Sequence, residues 1–332
     1  MAKKIFVFYV VLLSISMLSA CASADAQAIR TIESTLPILT PINSFNSQTK
    51  PTTIPTASAV PPLTDAPVVI KAIPTRVIQP TATLAANDWQ NFPIFPTSLS
   101  QQAREIYTAG IAAGNDPQRF SKIGDCQNIN TYFLALFDDP NAYTLGEQYQ
   151  DLQATIDYYA GSWSRQSISV RGGFNVATIF NPWFSNKEFC GENETPIDCE
   201  LRVNKPSVVL ISMEAWWNGD PARYAMHLRR IVDTVLAHNA LPILATKADN
   251  LEGNYEINRA IVQIAYEYDL PLWNFWRAVQ DIPRKGLEDD MFHLTHGLND
   301  FSNTKNLRQG WPVRNLTALQ TIDAVRRALE TP

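Results

Sequence analysis

The sequence contains no cluster of basic residues, and its formal net charge is −5. A protein that binds nucleic acid needs a basic surface for the phosphates, so we expect no nucleic-acid partner. The histidines include one close pair, His293 and His296, without further clustered ligands, and there is no glycine-rich phosphate loop. We therefore expect no metal and no other cofactor. No internal repeat is visible.

The N-terminal residues 1–21 are organised as an export signal. Lys3 and Lys4 precede an apolar run, Ile5–Leu18, which is short for a membrane span, and small residues follow it. The ending Leu18-Ser19-Ala20-Cys21 resembles the lipobox of bacterial lipoproteins, which implies cleavage before Cys21 and a lipid on its sulfur. An ordinary signal peptide with an incidental cysteine is the alternative. Both interpretations predict export, and the resemblance adds a lipid anchor in the cell membrane that faces outside the cytoplasm.

Residues 22–95 are rich in Pro, Thr, Ala and Ser and carry few charges. Such a segment buries too little apolar surface to offset the entropy lost on ordering. We therefore expect a disordered, partly polyproline-II tether that spans roughly 50 Å as a coil. It would hold a folded domain, residues 96–332, clear of a membrane.

The folded part alternates strand and helix patterns, which predicts an α/β fold with a parallel sheet covered by helices on both faces. The first helix is expected to be capped by Thr97 or Ser98 and to end near Ala113. The expected strands are 119–123, 168–170, 207–212, 241–245 and 270–275. The other expected helices are 130–137, 146–160, 221–238, 255–268 and 315–330.

The first strand ends in Gly124-Asp125-Cys126. A side chain just beyond such a turn lies at the carboxyl end of the sheet, where open α/β folds bind their ligands. Cys190 and Cys199 flank a short polar loop and are expected to form a local disulfide, which leaves Cys126 as an odd thiol. A small cysteine buried in the core is the alternative for Cys126.

Asp290 and His293 are three residues apart. A carboxylate at that spacing can bind one ring nitrogen and orient the imidazole while the other nitrogen takes a proton. His227 and His296 are alternative bases without such a partner. His238 ends a predicted helix and is expected to cap it.

Together, these blocks resemble the SGNH (GDSL-type) hydrolase family over about residues 119–300. The resemblance implies a three-layer α/β/α fold with a flavodoxin-like sheet. It also implies cleavage of esters, often acetyl groups on carbohydrates. By similarity Cys126 is the nucleophile, Asp290 the orienting acid and His293 the general base, with Asp125 beside the substrate.

Two blocks depart from the family pattern. The nucleophile is Cys where the family has Ser, and a thiol beside an imidazole is chemically competent. The third block of the family is Gly-x-Asn-Asp. In this chain Glu214 stands in the Gly place and Trp216 in the Asn place. Asn218 replaces that Asn only if the loop is rearranged. Losing one oxyanion donor typically costs about a hundred- to thousandfold in turnover. A backbone donor is expected from Gly173 or Gly172, and the sequence does not choose between them.

The altered block has a possible use of its own. Trp216 and Trp217 are candidates for a platform under a sugar ring, and Glu214 for an acceptor of sugar hydroxyls. The alternative is that the tryptophans pack as core. Lys247 follows another strand end and is either a solvated partner of Asp249 or a residue that orients substrate.

The leading expectation is a surface-anchored, monomeric SGNH-like hydrolase that acts on a small-molecule or polysaccharide ester through Cys126. The first alternative is an inactive SGNH-like domain that binds carbohydrate or a cell-wall polymer through Trp216 and Trp217. The second is a redox-sensitive surface protein in which Cys126 forms mixed disulfides.

Overall fold

The structure is a computed structural model that describes residue 85 and residues 87–216 and 219–330. The predicted export signal, the lipidation site Cys21 and most of the predicted tether lie outside these residues. So do Trp217 and Asn218.

A parallel sheet forms the centre of the described part. Its strands are β1 (Asp116–Gly124), β2 (Pro206–Ser212), β3 (Leu241–Ala245) and β4 (Leu272–Trp273), in the order β1-β2-β3-β4. The register aligns Gly124 with Ser212, so β1 and β2 end side by side. On the other side of β1, Val170 forms a single parallel bridge with Gly124. The predicted α/β class with a parallel sheet is confirmed.

Helices connect and cover these strands. They are α1 (Gln101–Ala112), α2 (Gln153–Tyr158), α3 (Pro196–Asn204), α4 (Pro221–Ala237), α5 (Glu256–Glu267), α6 (Phe275–Ala278) and α7 (Gly310–Glu330). Every residue of β2 and β3 is buried. Because successive strand side chains point to opposite faces, both faces of the central sheet are covered. The predicted inner stripe of α4, from Tyr224 to Val235, is buried as expected.

The helix predicted at 130–137 is wrong. This segment is a series of turns followed by a short 3₁₀ helix, Ala135–Asp138. Leu134 has a left-handed backbone with φ of 63°, and its N–H donates to the Asn315 side chain at 2.8 Å. Phe133 and Leu134 are both fully buried, so the middle of this apolar run packs in the core without forming a helix.

The last predicted strand, 270–275, shortens to Leu272–Trp273 because the chain before residue 96 binds next to it. The Asn274 N–H donates to Ile94 O at 2.8 Å, and its side chain donates to Trp89 O at 2.9 Å. Trp89 is buried against Val262 and Trp276. The packed part of the chain therefore begins before residue 96, the predicted boundary.

Two further local features differ from expectation. The first helix is capped by Ser100, whose side chain accepts from Ala103 N–H, and not by Thr97 or Ser98. The end of the predicted polar loop is helical: helix α3 begins inside it, with Thr195 as cap and Pro196 in the first turn.

Candidate active site

The turn after β1 carries Cys126. A Cβ on Gly124 would lie 2.1 Å from Asn128 Nδ2, so only glycine fits here without displacing that side chain. Asn128 Nδ2 donates to Ser212 O at 2.7 Å and so ties the turn to the end of β2. Cys126 is partly exposed, belongs to no disulfide, and begins a short 3₁₀ turn at the carboxyl end of the sheet.

Asp290 and His293 form the predicted pair. Asp290 Oδ2 lies 2.5 Å from His293 Nδ1, and both side chains are about half exposed. Asp290 Oδ1 accepts from the backbone N–H groups of Phe292 and His293 at 3.0 and 2.9 Å, which fixes the three-residue spacing. Partial burial acts to raise the pKa of Asp290, but the hydrogen bonds from His293 and the backbone outweigh it and hold that pKa below its usual value. Asp290 is therefore a charged partner for the imidazole at neutral pH.

A hydrogen bond joins the thiol turn to the histidine loop. Gln127 Nε2 donates to Phe292 O at 2.9 Å. Gln127 follows Cys126 directly and Phe292 precedes His293 directly, so this buried contact brings the two segments together. The sequence analysis did not single out Gln127, because a glutamine carries no motif.

The sequence suggested that Asp125 lies beside the substrate. It is instead fully buried and lines no substrate pocket. Its Oδ1 accepts from Gln127 N–H at 2.9 Å, and its Oδ2 accepts from the N–H groups of Glu214 and Ala215 at 2.7 and 2.6 Å. Burial raises the pKa of Asp125, while these backbone hydrogen bonds and the charge of Arg314 oppose that rise. Asp125 thus ties the thiol turn to the loop after β2.

Glu214 also differs from expectation, because it is buried and does not lie at the crevice mouth. Its Oε1 lies 2.6 Å from Arg314 Nη2 on α7, and Ser212 Oγ lies 3.0 Å from the same carboxylate. Burial raises the pKa of Glu214, and Arg314 acts against that rise. Arg314 is itself fully buried among the rings of Phe133, Trp273 and Phe275. Sequence reasoning missed Arg314, which lies about a hundred residues from its partner.

Trp216 is partly buried and packs against α4. Its indole N–H donates to Asp220 O at 3.0 Å, and its ring lies 6.0 Å from Tyr224 and 6.2 Å from His227. These contacts favour the packing alternative over the sugar platform. The other proposed members of this loop, Trp217 and Asn218, lie outside the described residues.

The glycine block lies beside the thiol turn. Arg171 N–H donates to Gly124 O at 3.4 Å, which places Gly172 and Gly173 next to the end of β1. Phe174 N–H closes a turn on Arg171 O at 3.1 Å, and Gly173 has φ of 86°. A turn with a positive φ at its third position is type II and requires glycine there, so Gly173 is the glycine with a defined conformational role.

The expectation that Lys247 is a solvated partner of Asp249 is wrong. Its Nζ lies 2.5 Å from Asp249 and 2.7 Å from Glu252, and only 3 % of the side chain is exposed. Burial acts to lower the pKa of Lys247, but the two carboxylates outweigh it and raise that pKa. Burial raises the pKa of Asp249 to about 6. This buried cluster holds the loop after β3 and offers Lys247 little contact with a substrate.

The predicted disulfide between Cys190 and Cys199 is confirmed, with a Cα–Cα distance of 5.3 Å. Glu194 lies close to both sulfurs but pairs with Arg202 at 2.7 Å. Because the sulfurs are bonded to each other and the carboxylate has a cationic partner, this group does not fit a metal ion.

The described helices include none that is both long and apolar enough to cross a membrane. Comparisons with profiles of known protein families, with curated proteins and with solved structures found no match to this chain. The site is therefore judged on its geometry alone.

Proposed function

We propose that this chain is an SGNH-like hydrolase that cleaves ester bonds through Cys126, His293 and Asp290. The observation that carries the proposal is the Asp290–His293 pair, held at 2.5 Å in a loop that is hydrogen-bonded to the residue after Cys126. The proposal also includes export of the chain, a lipid anchor at Cys21 and an acylated carbohydrate as substrate.

The strand order supports a flavodoxin-like sheet. With the Val170 bridge counted as a short edge strand, the sequence of strands across the sheet is 2-1-3-4-5. In such sheets ligands bind at the carboxyl ends of the strands where the order reverses, here between β1 and β2. Cys126 follows β1 at that position, and Asp125 connects it to the loop after β2.

The proposed reaction has two steps. In the first, His293 Nε2 takes the thiol proton, the Cys126 sulfur attacks the ester carbonyl, and His293 returns the proton to the departing alcohol, which leaves a thioester on Cys126. In the second, His293 takes a proton from water as the water oxygen attacks the thioester carbonyl, the Cys126 sulfur departs, and His293 returns the proton to that sulfur as the acid leaves. Asp290 holds His293 Nδ1 throughout.

The backbone is the proposed source of oxyanion hydrogen bonds, through the N–H groups of Cys126 and Gly173. Among the described residues of the loop after β2, neither Trp216 nor Glu214 replaces the family's Asn, since the Trp216 N–H is already bonded to Asp220 and Glu214 is paired with Arg314. This same observation favours the second candidate function, an inactive SGNH-like domain that binds carbohydrate.

The test measures the alkylation rate of Cys126 against pH in the full chain, followed by mass spectrometry of the Cys126 peptide. In wild type we expect the rate to rise with a midpoint below the ordinary thiol value of about 8.5. The His293→Ala variant should lose this shift. The matched control is His296→Ala, which removes an exposed imidazole that lies 6.4 Å from Trp311.

Hydrolysis of p-nitrophenyl acetate is measured on the same proteins. We expect a loss of about a hundredfold or more for His293→Ala and a complete loss for Cys126→Ala. Two results together refute the enzyme proposal: an alkylation midpoint near 8.5 in all variants, and hydrolysis that survives both His293→Ala and Cys126→Ala. The inactive carbohydrate-binding domain is then the remaining candidate function.

A further inference from the structure

Trp183 is the most exposed large apolar side chain among the described residues, with 84 % of its surface accessible. A tryptophan that exposes most of its ring is unusual, because this residue is highly buried on average. The backbone beneath it is well defined. Pro182 begins a short 3₁₀ helix, and Asn181 Oδ1 accepts from Trp183 N–H at 3.0 Å. The ring is therefore displayed by an ordered turn.

Trp183 lines a cleft of about 690 Å³, and another part of its wall is the segment from Cys190 to Asn193. That segment is fixed to α3 in two ways. The Cys190–Cys199 disulfide bonds it covalently, and Glu194, which accepts from Gly191 N–H at 2.7 Å, pairs with Arg202. Both parts of the wall are thus held before any ligand arrives, which lowers the entropic cost of binding.

The cleft is connected to the thiol turn through a short chain of contacts. The ring of Phe184, next to Trp183, lies 5.9 Å from Phe174 and 5.6 Å from the Arg171 guanidinium. Arg171 N–H in turn donates to Gly124 O. A short chain of contacts therefore connects Trp183 to the turn that carries Cys126.

The polar groups of the cleft indicate the chemistry of its ligand. Lys187, Glu192 and Asn193 line it, and their side chains make no hydrogen bond with any other described residue. These side chains offer both hydrogen-bond donors and hydrogen-bond acceptors. The positive charge of Lys187 and the negative charge of Glu192 cancel, which favours a neutral ligand over a polyanion. A pyranose ring has a face of C–H groups and an edge of hydroxyls, so it matches a flat indole beside such groups.

From these observations we propose that the Trp183 cleft is a carbohydrate-binding site for a neutral oligosaccharide. The sugar ring stacks on Trp183, and its hydroxyls bind Lys187, Glu192 and Asn193. This inference goes beyond ester hydrolysis and does not require it.

The test uses isothermal titration calorimetry on the purified full chain. The probes are N-acetylchitotetraose, cellotetraose and xylotetraose. We expect at least one of them to bind wild type with a dissociation constant below about 10 mM. Trp183→Ala should weaken that binding at least about tenfold, because it removes the stacking face. The matched control is Phe189→Ala, an exposed aromatic in the same loop outside the cleft, which should change the binding by no more than about twofold.

Cys126→Ala separates this inference from the proposed function. It should bind the oligosaccharide as wild type does even when hydrolysis is lost, whereas Trp183→Ala should still hydrolyse p-nitrophenyl acetate. Three results overturn the inference: no probe binds wild type, Trp183→Ala binds as tightly as wild type, or only a proline-rich peptide of residues 51–67 binds. The last result identifies the chain's own tether as the occupant.

Discussion

Lys122 offers a direct test of the buried electrostatics beneath the site. It lies on β1, is 1 % exposed, and donates to Asn130 Oδ1 at 2.6 Å and to Phe133 O at 3.4 Å. Burial lowers its pKa from 10.5 to about 7, and Arg165 adds to this, while Glu200 and Asp138 act in the opposite direction. The folded protein therefore loses a proton from Lys122 at a pH where the unfolded chain keeps it.

The sign of the pH dependence follows from proton binding. Between about pH 7 and 10.5 the unfolded chain binds more protons at Lys122 than the folded protein does, so the free energy of unfolding rises with pH. The slope is about 1.4 kcal/mol per pH unit, and the whole window is worth about 5 kcal/mol as an order of magnitude. Below pH 7 the folded state bears the full cost of a buried ammonium group.

Lys122→Met removes this titration and keeps the volume. The lost hydrogen bond leaves Asn130 Oδ1 without its donor, at a cost of about 1–3 kcal/mol. At pH 6 we expect the variant to be more stable than wild type by about 2–4 kcal/mol, the difference between these two effects. Wild type should regain about 3 kcal/mol on the variant between pH 7.5 and 9.5.

The assay is urea unfolding followed by tryptophan fluorescence at pH 6, 7.5, 8.5 and 9.5 on both full chains. Comparing the two proteins isolates Lys122, because all other titrating groups are shared. Parallel stability curves for wild type and variant would refute the reasoning, since they would mean that Lys122 keeps an ordinary pKa in the folded state.

Three further tests apply the same unfolding assay to other parts of the structure. Arg314→Met should destabilise the protein by about 3–5 kcal/mol because it leaves Glu214 buried without its partner, and adding Glu214→Gln should recover most of the loss; equal stability of the single and double variants would contradict this. Gly124→Ala should cost at least about 2 kcal/mol through its clash, whereas Gly172→Ala, whose Cβ would meet nothing within 4 Å, should be nearly neutral. Reducing the Cys190–Cys199 bridge should lower the free energy of unfolding by about 3 kcal/mol, and an unchanged midpoint in reductant would count against the constraint.

The features predicted well from sequence are those whose cause is local. The continuous apolar run of β2 and the spacing of apolar residues along α4 are enough to predict that these residues are buried. The Asp290–His293 pair and the disulfide join residues within ten positions of each other, so their contact needs no knowledge of the fold. The helix predicted at 130–137 is wrong because the conformation there depends on a distant residue: Asn315 accepts from the N–H of the left-handed Leu134.

The features that the sequence did not reveal depend on partners far along the chain. Glu214 looked like an exposed ligand of a sugar because Arg314, which neutralises it, lies on the last helix. Lys247 is an exception, because its partners Asp249 and Glu252 lie within five positions of it; what the sequence did not show is that the fold buries all three side chains. Trp183 was overlooked because exposure is a property of the folded chain and leaves no pattern in the sequence.

The loop after β2 has consequences for how a hydrolase of this design would work. Asp125 holds the backbone of Glu214 and Ala215, and Arg314 pairs with the Glu214 side chain, so the first residues of this loop are fixed by interactions unrelated to an oxyanion. Because Trp216 has the place of the family's Asn and its indole N–H is bonded to Asp220 O, we expect turnover about a hundred- to thousandfold lower for a simple ester. Contacts to a remote part of the substrate can offset such a loss, because binding energy away from the reacting bond helps to orient that bond. Because a short chain of contacts connects the Trp183 cleft to the turn of Cys126, we expect the preferred ester to be one carried on a sugar chain.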